Sequence, residues 1–191
     1  MLFNSISFLC FFPVVVGIYF LVPKKARYLW LLFASYYFYM SWNAKYALLL
    51  LFSTVLTYSC ARLIEKAESA KSRKAFLILC LVLQLGILFG MKYLNFAVSL
   101  LARLLLLLHV ELTVPAFDIV LPVGISFYTF QTVSYIIDCH WEKVKPQRSL
   151  KNFLLYITLF PQLVAGPIVR YSTIEKEIES RSFFNWIRRS R

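Results

Sequence analysis

Four long apolar runs separated by short polar segments leave this chain few ways to fold. Leu2 to Val22, Tyr28 to Trp42, Tyr46 to Cys60 and Ala75 to Met91 are almost wholly apolar. Between them lie Pro23-Lys24-Lys25-Ala26-Arg27, the thin connection Asn43-Ala44-Lys45, and a stretch from Arg62 to Lys74 with five cations and two glutamates. A helix in a soluble domain hides one apolar stripe, whereas these runs are apolar all round. Hydrophobic residues make up 60% of the 191, more than a water-soluble core of that length would use. The expected architecture is all-α: a polytopic integral membrane helical bundle, with residues 1–191 as a single membrane domain. The second and third runs are short for a full span. They are therefore either lengthened by flanking residues or set in locally thin bilayer.

The formal charge of +12 raises the question of nucleic acid. The cations sit in short connections between apolar runs, with no reading helix beside them, so anchoring at a lipid surface explains them better and no nucleic-acid partner is expected. Cys10, Cys60, Cys80 and Cys139 lie in or beside apolar runs without C-x-x-C spacing, which argues for buried thiols and no metal site. The first run lacks a basic leader and a small-residue cleavage site, so it is expected to persist as a helix.

Charge also orients the chain. The basic segments 23–27, 62–74 and 142–151 are expected on the cytoplasmic side, and 109–121, with Glu111 and Asp118 and no cation, outside, as is the N-terminus. An odd number of crossings must then separate 74 from 109. One crossing at 75–91 followed by an interfacial helix at 92–110 satisfies this. Lys92, Asn95, Ser99 and Arg103, at steps of three and four, form that helix's polar stripe. Segment 152–169 is broken by Pro161, Gly166 and Pro167 and is expected to re-enter rather than cross. Ser172-Thr173-Ile174-Glu175 has capping-box spacing and predicts an amphipathic helix with Ile174 and Ile178 on its apolar side.

The chemistry-bearing residues concentrate between Leu121 and Arg170. Read as a helix, Gly124, Tyr128, Gln131, Ser134 or Tyr135, and Asp138 share one face, opposite Ile125, Val133, Ile136 and Ile137. Hydrocarbon cannot satisfy such a stripe, so it faces protein or a wet cavity, and it would serve equally well to glue helices together.

These segments resemble a known family. Leu-Pro-Val-Gly-Ile-Ser-Phe-Tyr-Thr-Phe-Gln at 121–131 and Phe-Pro-Gln-Leu-Val-Ala-Gly-Pro-Ile-Val-Arg at 160–170 carry the likeness most strongly. Met1-Leu2-Phe3-Asn4-Ser5 with Phe11-Phe12-Pro13, Ala34-Ser35-Tyr36-Tyr37-Phe38-Tyr39, and Lys92-Tyr93 with Asn95-Phe96 add to it. The chain is similar to the membrane-bound O-acyltransferases, in the branch that includes alginate O-acetylation and D-alanyl transfer. The likeness covers only the first part of such a protein. It implies transfer of an acyl group from an activated donor, acyl-CoA or an acyl-carrier protein, to a cell-envelope polysaccharide hydroxyl or through a periplasmic acyl-transfer partner protein. The setting implied is the inner membrane, with no bound cofactor or metal.

Tyr128, Gln131, Ser134, Tyr135, Asp138, Gln162, Gly166 and Arg170 would wall a tunnel, with Asp138 and Arg170 holding helix ends near its cytoplasmic mouth. The family's catalytic histidine belongs to a later half that this chain is expected to lack, and neither His109 nor His140 matches it. Relatives tend to carry a Tyr-Arg pair one residue after the aspartate, where this chain has Cys139 and then His140-Trp141. The chain alone is expected to be an inactive, poorly folding piece whose polar stripe faces lipid. A transporter or channel, or a non-catalytic subunit completed by a partner, are the rival readings.

Overall fold

A computed structural model describes residues 5–23, 26–41, 43–107, 124–159 and 171. They form α1 (Ile6–Leu21), α2 (Arg27–Met40), α3 (Ala44–Lys66), α4 (Ala70–Lys92), α5 (Leu94–Leu107), α6 (Ile125–His140) and α7 (Leu150–Thr158). Among the described residues there is no strand, and the all-α expectation holds. The acidic segment 109–121, the motif at 160–170 and the capping box at 172–175 lie outside the described residues, as does Trp42.

α3 is the central helix, packed against α2, α4, α6 and α7. Asn43 Oδ1 caps its start by accepting the Lys45 N–H at 2.9 Å. The apolar run ends at Cys60, yet the helix continues to Lys66, because Arg62, Glu65 and Lys66 favour helix and Arg62 pairs with Glu65 one turn on. Similarly, Ser69 Oγ accepts the Ser72 N–H at 3.1 Å and starts α4 early. The stretch 62–74, read from composition as a loop, is therefore two helix ends joined by 67–69. With their polar extensions, α3 and α4 each reach 23 residues, long and apolar enough to cross a bilayer.

The contact face of α3 is mostly small or hydroxylated residues, with Leu50 and Ile64 the two large aliphatics on it. Ala47, Leu50, Thr54, Thr57, Ala61 and Ile64 alternate steps of three and four, and all are buried. Short side chains let neighbouring backbones approach, which is how helices associate where lipid removes the hydrophobic drive. The Thr54 and Thr57 hydroxyls donate back to Leu50 O at 2.7 Å and Ser53 O at 3.0 Å. Gln84, the one strongly polar residue in its run, enters this face from α4. Its Nε2 donates to Ser53 O at 2.8 Å and Thr57 Oγ1 at 2.7 Å, and its Oε1 accepts from Ser53 Oγ at 2.8 Å.

α1 and α2 form a satellite core of Val15, Ala34 and Phe38, lapped by Phe8 and Phe11. Trp30 Nε1 donates to Val15 O at 2.9 Å and ties the two helices at mid-length. Helical phase turns Tyr39 and the Tyr36 hydroxyl inward and leaves Tyr37 about half exposed. The stripe Lys92, Asn95, Ser99, Arg103 is likewise divided: Lys92 closes α4, and Tyr93, with φ −113°, separates it from α5.

α6 begins at Gly124, whose φ of 73° is left-handed and suits glycine. Its supposedly opposite face is only partly exposed. Ile125 and Ile136 are buried in the main core, because α3, α4 and α7 enclose more than half of the helix. The open seam is Phe130, Val133, Ser134 and Ile137.

Gln84→Leu should lower thermal stability in detergent by about 1–2 kcal/mol, the worth of an interhelical hydrogen-bond set in a membrane bundle. Gln84→Ala, which also leaves a cavity, should cost more. Unfolding curves that place both variants level with the native chain would show that the amide is dispensable.

Candidate functional site

Steps of three and four carry Tyr128, Gln131, Tyr135 and Asp138 down one side of α6, and the structure buries all four. Tyr128, Gln131 and Tyr135 are at most 1% exposed, so the stripe is enclosed by this chain instead of being left to lipid. The reason is packing: α3 and α7 close over it, and Tyr39 of α2 sits beside Tyr128. Ser134 is the exception and lies on the half-open seam. Gln162, Gly166 and Arg170 lie outside the described residues.

The polar atoms of the stripe fall into two groups. In the upper group Gln131 Nε2 donates to Tyr156 O at 3.3 Å. The Tyr128 hydroxyl has that of Tyr39 beside it, while Gln131 Oε1 and the neighbouring Thr129 hydroxyl are buried without a hydrogen-bond partner. Such atoms carry a desolvation cost, so they mark where bonding capacity remains. In the lower group Tyr135 and Gln147 are engaged. The Tyr135 hydroxyl accepts the Gln147 N–H at 2.8 Å, and Gln147 Nε2 donates to the Tyr171 hydroxyl at 2.7 Å. Gln147 Oε1 accepts the N–H groups of Arg148 at 2.7 Å and Ser149 at 3.2 Å, capping α7 where Ser149 itself does not.

Rings surround this hub. Tyr135 lies 4.6 Å from Phe153 and 5.1 Å from Tyr171, and Tyr156 lies 5.1 Å from Tyr171, at geometries that favour edge or tilted contact. Tyr58 of α3 donates to Arg148 O at 2.7 Å and fixes the other side of the connection. Sequence reading missed Gln147 because nothing in Pro146-Gln147-Arg148 separates a buried glutamine from a solvated one. Ser149 reads as an ordinary N-cap, and only the structure shows that its side chain does not cap α7.

Asp138 closes the stripe. Its backbone oxygen accepts the Lys143 N–H at 3.0 Å while Cys139 O accepts from Glu142, which ends α6 in a Schellman turn with Glu142 at φ 58°. The ion pairs among the described residues, Arg62–Glu65 and Arg73–Glu142, do not include Asp138. His140 stands at the helix end with Nδ1 buried and unpartnered, remote from the upper group. Among the described residues no cluster of histidine, cysteine or acid could hold a metal ion. The site as placed can bind and orient polar groups, and it brings together no nucleophile and base.

Comparison with known proteins gives relatives over nearly the whole chain. It is 36% identical over 184 residues to a Pseudomonas aeruginosa protein named "Probable alginate O-acetylase AlgI", covering 95% of this chain and 35% of that one. An Azotobacter vinelandii protein of the same name is also 36% identical over 184 residues, with 95% and 37% covered. A Helicobacter pylori "Peptidoglycan O-acetyltransferase" is 30% identical over 212 residues, with 95% and 39% covered. The chain thus spans about a third of the length of these relatives. No family profile matches it, and no solved structure does.

Gln147→Ala should cost about 1–3 kcal/mol, since it strands the Tyr171 hydroxyl and the α7 amides. It should also hasten trypsin cleavage after Lys143 and Arg148 as the connection loosens. Gln147→Glu keeps the acceptor and should fall between. Unchanged cleavage rates in both variants would remove Gln147 from its place as the hub.

Proposed function

We propose, for a chain that is of the membrane-bound O-acyltransferase type over the third of its relatives that it matches, that it contributes to O-acetyl transfer onto a cell-envelope polysaccharide hydroxyl. The observation that carries this reading is that O-acetylases and an O-acetyltransferase from three genera match 95% of the chain at 30–36% identity. A structural protein with no share in that chemistry has no reason to keep such likeness across nearly every helix.

In the reaction, a base takes the proton of the acceptor hydroxyl and its oxygen attacks the carbonyl carbon of a thioester, acyl-CoA or acyl-carrier protein. The carbon–sulfur bond then breaks and the departing thiolate takes up a proton. Donors aimed at the tetrahedral oxyanion lower the barrier. Gln131 Oε1 is an α6 group with bonding capacity left, and the Tyr128 hydroxyl lies one turn from it on the same face, so we assign both to the tunnel wall. Tyr135 is already engaged by Gln147 and orients the connection to α7. Asp138 and Arg170 serve the mouth, with Gln162 and Gly166 completing the wall. His140, at the end of α6, is not the base in this reading, nor is His109.

The setting is the inner membrane, with the N-terminus outside and 23–27, 62–74 and 142–151 in the cytoplasm. That placement follows the distribution of lysine and arginine. The donor approaches from the cytoplasmic side and the acceptor, or an acyl-transfer partner protein, from the other.

The test is a chimera in which this chain replaces the matching third of the Pseudomonas aeruginosa relative in a strain lacking that protein. Alginate O-acetylation should be restored, and Gln131→Leu should reduce it roughly tenfold at unchanged membrane insertion, the worth of one buried hydrogen bond. Ser134→Ala, on the open seam, should change it less than about twofold. A chimera that inserts at the native level and acetylates nothing would overturn the proposal.

A further inference from the structure

Two basic segments that are far apart in sequence meet at one end of the bundle. Arg73 Nη1 pairs with Glu142 at 2.6 Å, and the Tyr58 hydroxyl donates to Arg148 O at 2.7 Å. These contacts lay the 141–149 connection across the α3–α4 turn. Lys66, Lys71 and Lys74 are exposed on the helix ends, and Lys143, Lys145, Arg148 and Lys151 are exposed on and just beyond the connection. Among the described residues at this end, Glu65 and Glu142 are already taken by Arg62 and Arg73, which leaves Glu68 and the buried Asp138 against seven cations.

The cations are also placed against the helix dipoles. α4 has no acid in its first turn and carries Lys71 and Arg73 there, with Lys74 next; α7 has none and carries Lys151. Positive side chains at a positive helix end destabilise it unless an anion sits among them. Beside the charges is apolar surface. Trp141 is 61% exposed with Lys143 Nζ 4.5 Å over its ring, and Leu63 and Ile78 stand 42% and 48% exposed on the flanks of α3 and α4. An occupant with a phosphate head and an acyl tail meets both halves of this surface.

We propose that this end of the bundle is a binding site for an anionic glycerophospholipid. The headgroup phosphate lies by Lys71 and Lys74, which share a face of α4 with Ile78, with Lys143 and Lys145 adding to the field, and an acyl chain runs down past Ile78. The site lies apart from the Tyr128–Gln131 group and does not depend on the acyl-transfer reading.

The test titrates phosphatidylglycerol onto the 191-residue chain in mild detergent and reads thermal unfolding, with lipid retention followed by native mass spectrometry. Phosphatidylglycerol should raise the unfolding temperature and phosphatidylcholine should not. The paired replacements Lys71→Gln with Lys74→Gln, and Lys143→Gln with Lys145→Gln, should each weaken it roughly fivefold per cation removed. The same pairs changed to arginine should restore it. Lys45→Gln, exposed at the opposite end of α3, should leave it unchanged. Equal stabilisation by phosphatidylcholine, or a paired variant that binds as well as the native chain, overturns the site. Full competition by inorganic phosphate would assign the cations to a soluble phosphate compound. Binding of poly-glutamate without phosphatidylglycerol would assign them to an acidic protein.

Discussion

A side-chain amide inside hydrocarbon has no solvent to fall back on, and the placement of Gln84 follows from that. Its donors and acceptor are met by Ser53 and Thr57, so α4 is held to α3 in one register. Apolar contacts between the same helices could slide by a turn at small cost, because lipid tails replace them about equally well. Once α3 and α4 are keyed together, their polar ends are set at one side of the bundle. The small-residue face of α3 is then left for α6 and α7 to close upon.

Gln147 plays the same part at the edge of the hydrocarbon. A connection of turns and irregular backbone has amides to satisfy, and one buried side chain satisfies two of them while bonding a tyrosine hydroxyl as well. The Tyr135 hydroxyl supplies the return contact from α6. The connection is thereby part of the core, with Val144 buried beneath it, and its cations are displayed on a fixed surface. Upper and lower halves of the α6 stripe consequently differ in kind. Below, Tyr135 and Gln147 are engaged in holding the chain together; above, Gln131 keeps capacity for a ligand.

Much of this was legible in the residues. The apolar runs located the helices, and the steps between Tyr128, Gln131, Tyr135 and Asp138 found a face that is indeed buried. Helix ends were read poorly wherever charge was taken for loop, as at Arg62 to Lys74, because a helix can project beyond hydrocarbon on residues of good propensity. Ile125 and Ile136, opposite the stripe, are buried as well. Periodicity names the faces of a helix but not how many neighbours it has, and α6 has three.

The sequence by itself determined that the chain is helical and suited to a membrane, where its polar stripe lies, and which proteins it resembles. These properties reside in composition, spacing and residue identity along one strand of text. Only the tertiary structure decided that the stripe is covered by this chain's own helices, that Gln147 joins it, and that two distant basic segments form one surface. Each of those depends on which segments meet in space, and a helix encodes its faces locally while its neighbours are chosen by packing across the whole bundle.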